Sequence, residues 1–311
     1  MHKSHRSELR LILAALFFAF NGVVAKWVLL TGITSMRLTE VRTLGVALLI
    51  LFYLALRKPS EIKVQRELLK RLIIFGIIGV AAVQGFYFFS ISKLPVSIAL
   101  IIEFTAPIWI TLYVRFVKKE SVARSMWLGL LFGFGGLILV GQVWKGLTFN
   151  GIGLISSILD ALALAFYFYQ ASKLRKYVSG ETLVLYGMGV TAIFFAIIQP
   201  LWSYPVSKLN NSIQLIGALK GHSLPAWALV LFIITGGMAI PYFFVIAGLK
   251  GLSASISSVI GMLEPVFAGI FAWIWLSETF NAIQLLGAVA VIAGIYIATR
   301  VRTVTQQIVP E

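Results

Sequence analysis

Apolar residues run along this chain in ten long blocks, each bounded by charged or turn-forming residues. The blocks fall near residues 10–30, 38–56, 70–91, 95–116, 125–143, 151–172, 182–202, 225–247, 253–276 and 281–299. A helix needs about 20 largely apolar residues to cross the ~30 Å hydrocarbon core of a bilayer, so each block predicts a spanning helix. Breaks such as Arg57-Lys58-Pro59-Ser60 and Lys118-Lys119-Glu120-Ser121 separate neighbours. The polar stretch Met1 to Arg10 leads into the first block in the manner of a signal peptide. Lys26 interrupts the far end, however, and no clean small-residue cleavage site follows, so the block is read as an uncleaved first span.

Basic residues orient the spans, because Lys and Arg collect in cytoplasmic loops. With a cytoplasmic N-terminus, nineteen of the 26 Lys and Arg residues fall on the cytoplasmic side. Both termini are then expected inside, as ten spans require.

The pattern also repeats. Shifting the chain by 158 positions brings Leu94, Ser97, Ile98, Ile102 and Pro107 onto Leu252, Ser255, Ile256, Ile260 and Pro265. Glu120, Leu128, Gly129 and Gly136 then meet Glu278, Leu286, Gly287 and Gly294, and upstream Gly79, Ala81 and Phe86 meet Gly237, Ala239 and Phe244. Each copy holds five spans, an odd number, so the second inserts upside down relative to the first. The expected fold is an all-α membrane protein of ten transmembrane helices in two inverted repeats, residues 1–146 and 147–311. Inverted repeats let two halves expose a central site alternately and are the architecture of many secondary transporters.

Composition narrows the function further. The chain is 59% hydrophobic and only 12% charged, with a mean hydropathy of +0.96, whereas soluble domains carry about a quarter charged residues. A soluble enzyme and a disordered chain are both excluded. The net charge of +15 would point to nucleic acid in a soluble protein. Here the basic residues sit at helix ends, where they set topology and meet anionic lipid headgroups, so no nucleic-acid partner is expected. There is no cysteine, and His2, His5 and His222 lie outside the apolar blocks with no second ligand at helical spacing. No metal or cofactor is expected. The chain has no GxxxxGK[ST] phosphate loop, which removes ATP hydrolysis as a drive. A membrane-embedded enzyme acting on lipid or prenyl chains would need acids or histidines clustered at a membrane surface, and the sequence offers no such cluster.

The stretch IEFTAP, within Ile98 to Ile110, the ending LEPVFAGIFAWIWLSET and the following LLGAVAVIAG resemble the paired EamA domains of the drug/metabolite transporter superfamily. The first copy closes with FVKKES and LGLLFGFGG, departing from the family pattern at Val117-Lys118-Lys119. The resemblance covers nearly the whole chain, and IEFTAP is similar to the threonine/homoserine exporter branch. It implies a multi-pass carrier of the inner cell membrane that exports amino acids, related metabolites or drugs.

Polar groups deep in the spans are the candidate site. Glu103, Asp160 and Glu264 lie 8, 9 and 11 residues into their blocks, about 12–17 Å along the helix at 1.5 Å per residue. An acid at that depth is costly and is paired, protonated or facing a watery cavity. It serves as a substrate ligand or proton carrier, or as a structural hydrogen-bonding group. Pro107 and Pro265 leave the carbonyl four residues earlier without a donor and predict kinks near the midplane of the fourth and ninth spans. Ser257, Gly261 and Glu264 share a helical face by spacing, which is read as site lining or as small-residue packing. Asn21, Gln84, Tyr87, Trp109, Tyr167 and Tyr242 are further lining candidates, with packing as the alternative for each. Glu40 and Arg42 read as a local charge pair or gate in the outer part of the second span. The glycine run Gly129, Gly133, Gly135 and Gly136 suits close helix contact, within the subunit or in a homodimer.

Overall fold

Ten helical stretches long and apolar enough to cross a membrane follow one another in the computed structural model, which describes residues 2–94, 96–142, 144, 150–215, 217–276 and 281–300. Lys145, Glu278 and Arg302 lie outside the described residues. All ten stretches begin and end within five residues of the blocks read from the sequence.

The first two spans are α1 (His2–Leu29) and α2 (Ser35–Arg57). The third joins α3 (Arg66–Ile74) to α4 (Ala82–Ile91) through a π-helical turn, Phe75–Ala81. The fourth is α5 (Val96–Glu103) and α6 (Ala106–Leu112), ending in a second π-helical turn, Tyr113–Val117. Then come α7 (Arg124–Gly141), α8 (Gly151–Leu174) and α9 (Gly180–Ile198). The eighth span is α10 (Ala226–Ile234) and α11 (Ile240–Gly248), joined by a π-helical turn at Thr235–Ala239. The ninth is α12 (Ala254–Gly261) and α13 (Leu263–Leu276), and the tenth is α14 (Ala282–Arg300). The π turns of the third and eighth spans coincide under the 158-residue shift. A π turn misaligns the backbone ladder locally and is frequent at functional sites.

Local chemistry sets the helix starts. Thr34, Asn150, Ser179 and Ser253 each precede a helix and accept a hydrogen bond from the backbone N–H three residues on. This satisfies a donor that the helix itself leaves orphaned. Large apolar side chains such as Phe52, Leu131 and Ile197 are 66–76% exposed along the spans. Contiguous apolar surface on that scale requires lipid as its solvent.

The tightest packing joins the equivalent helices α7 and α14. Gly129 lies against the backbone of Gly294, and Gly136 against that of Gly287. The contact partner falls in residue number along α14 as it rises along α7, so the two helices are antiparallel. Under the 158-residue shift each contact maps onto the other. The close approach expected of these glycines is therefore made within the chain.

A second pairing, α2 against α9, is pinned at both ends. At one end Lys58 Nζ donates to Glu181 Oε1 at 2.9 Å. At the other, Arg37 Nη1 donates to the carbonyls of Gln199 and Pro200 at 3.2 and 3.3 Å while holding Glu40 Oε2 at 2.7 Å. Beyond α9 the chain makes a hairpin, β1 (Ser212–Gln214) antiparallel to β2 (Ser223–Pro225), a small departure from the all-α expectation. Its Ile213 is buried with Val23, Trp27, Leu38 and Leu229, closing that end of α1, α2 and α10. A Ser-Ile-Gln alternation supplies the one inward apolar residue such a strand needs.

Candidate functional site

The fourth and ninth spans are both broken, and at equivalent places. In the fourth, Thr105 N donates to Ile102 O and Ile108 N to Thr105 O, so the α-helical ladder lapses over Phe104 and Thr105. In the ninth, Met262 N donates to Val259 O, and Met262 is Phe104 shifted by 158. Pro107 offers no N–H to the carbonyl of Glu103, and Pro265 none to that of Gly261. The proline kinks expected from the sequence are thus helix breaks. Non-helical backbone at membrane depth is tolerated where protein or a watery cavity surrounds it.

Glu103 ends the half-helix before the first break, and Glu264 stands in the first turn after the second. The halves run in opposite directions. A residue before one break and a residue after the other therefore lie on the same side of both, and the two acids come within electrostatic range of each other. Asp160 of α8 lies within range of Glu103 as well. Tyr87 of α4 lies within electrostatic range of all three acids.

The acids have unlike surroundings. Glu103 and Glu264 are half-buried, although they sit deep among atoms of several helices. Asp160 is fully buried, and neither carboxyl oxygen has a hydrogen-bond partner among the described residues. Ser157 and Ser257, also fully buried, leave their hydroxyls unpartnered as well. The helical face expected of Ser257, Gly261 and Glu264 is interrupted at Met262, and Ser257 is fully buried.

Arg42 joins this cluster. It does not pair with Glu40, whose carboxylate goes to Arg37, so the expectation of a Glu40–Arg42 pair is overturned. The reason is helical geometry: residues i and i+2 point apart, whereas i and i+3 meet. Arg42 Nη2 instead donates to Gln84 Oε1 of α4, and its guanidinium lies over the Phe88 ring, 5.8 Å from the centroid. Glu264, Tyr87 and Tyr242 are within its electrostatic range. Gln84 also reaches the Tyr242 side chain. Gln84, Tyr87 and Phe88 stand at i, i+3 and i+4, one face of α4. Phe88 is not singled out by the sequence, and Arg42 is read there only as a partner of Glu40. The signal for Arg42 was its place eighth in α2, about 10 Å from the helix start.

Behind this face lies an aromatic layer. Tyr167 is buried, stacked on Phe75 at 5.4 Å and edge-on to Tyr242 at 6.0 Å. Tyr242 meets Phe18 edge-on at 5.3 Å. Asn21 is buried with its carboxamide against the Cα of Gly237, inside the π turn of the eighth span. Trp109 stands apart: it is exposed, and its indole N–H donates to Thr105 Oγ1 one turn back at 3.0 Å.

Ten spans, two halves broken at matching points and a polar cluster between them define a multi-pass membrane carrier. A family model described as the EamA-like transporter family matches residues 6–142 and 151–300. The chain belongs to this family, within the drug/metabolite transporter superfamily, and is a transporter rather than an enzyme. It is 25% identical over 270 residues to the threonine/homoserine exporter RhtA of Escherichia coli (strain K12), a match covering 85% of this chain and 79% of that one. An uncharacterized transporter of Synechocystis is 26% identical over 316 residues, covering 94% and 89%. One from Archaeoglobus fulgidus is 25% identical over 229 residues, covering 74% and 75%. A solved crystal structure at 17% identity superposes with a TM-score of 0.75 over 95% of this chain and 96% of that one, a likeness of fold alone.

Proposed function

We propose that this chain is a secondary carrier of the inner cell membrane that exports amino acids or close relatives by alternating access. The two repeats, 1–146 and 147–311, are the moving halves, with both termini in the cytoplasm. The observation that carries this reading is that Glu103 and Glu264, one from each half, stand at the breaks of the fourth and ninth spans within electrostatic range of each other. Acids at membrane depth offer a ligand for a substrate ammonium. Freed backbone carbonyls at the same level add acceptors, and the rings of Tyr87 and Tyr242 would accept an apolar side chain. Carboxyl groups gathered at this depth disfavour phosphorylated sugars and nucleotide sugars. The 25%-identical relative named as a threonine/homoserine exporter agrees with this direction and class. The test is transport by the purified protein in liposomes against a panel of amino acids, together with efflux of preloaded label from overexpressing cells. Faster amino-acid movement than in protein-free liposomes is expected. Competition by sugar phosphates with none by amino acids would overturn the assignment.

A further inference from the structure

A cation stands in this site without an anion of its own. Among the described residues Arg42 has no carboxylate oxygen within 4 Å, whereas Arg37 five residues earlier is fully engaged. Its Nε is buried without a hydrogen-bond partner. Gln84 and the Phe88 ring hold the guanidinium in place but leave its charge uncompensated, and a charge at this depth is costly unless paired. The nearest opposite charge in its surroundings, Glu264, is within electrostatic range but not in contact. A ligand that brings its own anion would complete the guanidinium.

We infer that Arg42 binds the carboxylate of the substrate while Glu264 and Glu103 take its ammonium, so that the carrier selects zwitterions over amines. This deepens the amino-acid reading above and rests on it. The planar guanidinium fork matches a carboxylate. A phosphate would suit the fork equally, but it brings no ammonium for the carboxyl groups of Glu103 and Glu264 to take. A lone amine would leave Arg42 unpaired, and a lone carboxylate would leave the acids without a cation. An α-amino acid carries its two charges on one carbon and can bridge them. The neutral carboxamide of Gln84 orients Arg42 without neutralising it, as an anion-binding arginine requires.

The experiment uses the full chain in liposomes. The amino acid moved fastest in a panel supplies the label. Its methyl ester, which lacks the carboxylate, and its N-acetyl derivative, which lacks the ammonium, are the competitors. Wild-type protein should be inhibited by the ester roughly 10- to 100-fold less well than by the parent amino acid, the worth of a charge-assisted hydrogen bond. Arg42→Gln should erase that preference by weakening the parent alone, and Arg42→Lys should restore part of it. The wild-type comparison decides the matter even if Arg42→Gln does not fold. Equal inhibition by ester and amino acid would overturn the role of Arg42 and leave amino-acid export standing. Absence of any amino-acid transport by well-folded protein would overturn both.

Discussion

Glu264 and Ala106 hold the same place in the two halves of the fold, each in the first turn of the helix that resumes after a break. The backbone frame is symmetric and the chemistry is not. On the other side of the break the asymmetry reverses, with Glu103 opposite Gly261. A helix start favours a negative charge through its unpaired N–H groups, so Glu264 is an acid supported by the backbone, whereas Glu103, at a helix end, is not.

The two acids should therefore differ on substitution. Glu103→Gln and Glu264→Gln should each cut transport by about tenfold or more, the value of one charge-assisted contact, while insertion and expression persist. Of the two, only Glu264→Gln also removes an acid from a helix start, so its melting temperature should fall more. Unchanged rate and pH dependence in both variants would make these acids structural groups.

The α7–α14 seam makes a prediction with its own control. A Cβ on Gly129 would sit 2.7 Å from the Gly294 carbonyl oxygen, and one on Gly135 would meet nothing within 4 Å. Gly129→Ala should destabilise the detergent-purified protein by about 1–3 kcal/mol through overpacking. Gly135→Ala should be neutral or mildly stabilising, since alanine is the better helix former by about 1 kcal/mol. Equal melting shifts for the two would rule out this packing.

The spans were legible because crossing a membrane imposes length and apolarity at once, and the repeat because proline, glutamate and glycine recur at one offset. The site was legible only in part. Acids at depth stand out against lipid, which picked Glu103, Asp160 and Glu264. Arg42 was misassigned because Glu40 is near in sequence, although the i, i+3 spacing already favoured Arg37. Trp109 shows the limit of composition: a ring in a span has no preferred side until the neighbouring helices are placed. Likewise the burial of Ser257 depends on a helix break that spacing alone extends straight through.

Topology can be read chemically. Lys63 follows the end of α2 that Glu181 pins, and Asn211 follows the end of α9 that Arg37 pins, so the two lie at opposite ends of one helix pair. Both are exposed, and the chain has no native cysteine. Asn211→Cys should react with an impermeant maleimide in intact cells stripped of outer barriers, and Lys63→Cys only after permeabilisation. Reaction of both from one side would refute the inverted arrangement.

The Lys58–Glu181 bridge gives a pH signature. Its hydrogen bond to the Glu181 carboxylate holds the Lys58 ammonium above the ordinary lysine range. A raised value means the bridge contributes fully below the ordinary lysine pKa of about 10.4. That contribution is lost only as pH rises through the raised one. Glu181→Gln should therefore lower the melting temperature by the same small amount at about pH 6 and about pH 9. The difference from wild type should close only in stronger alkali. A loss that instead varied steeply between those two values would place the titrating group elsewhere.

Asn21 and Gly237 offer the most local test of the π turn in the eighth span. The Asn21 carboxamide occupies the space a side chain at 237 would need, and among the described residues Asn21 Oδ1 has no hydrogen-bond partner. Gly237 is thus fixed by a neighbour from α1 rather than by backbone strain, since its φ is not in the left-handed region. Gly237→Ala should cost about 1–3 kcal/mol by overpacking. Asn21→Ala removes the obstructing group, so the double variant should recover much of that loss, with a coupling of about 1–2 kcal/mol between contacting residues. Strict additivity would mean that the methyl group is accommodated elsewhere and that Asn21 is free to turn toward the polar cluster. In that case Asn21→Ala alone should impair transport while leaving the melting temperature unchanged.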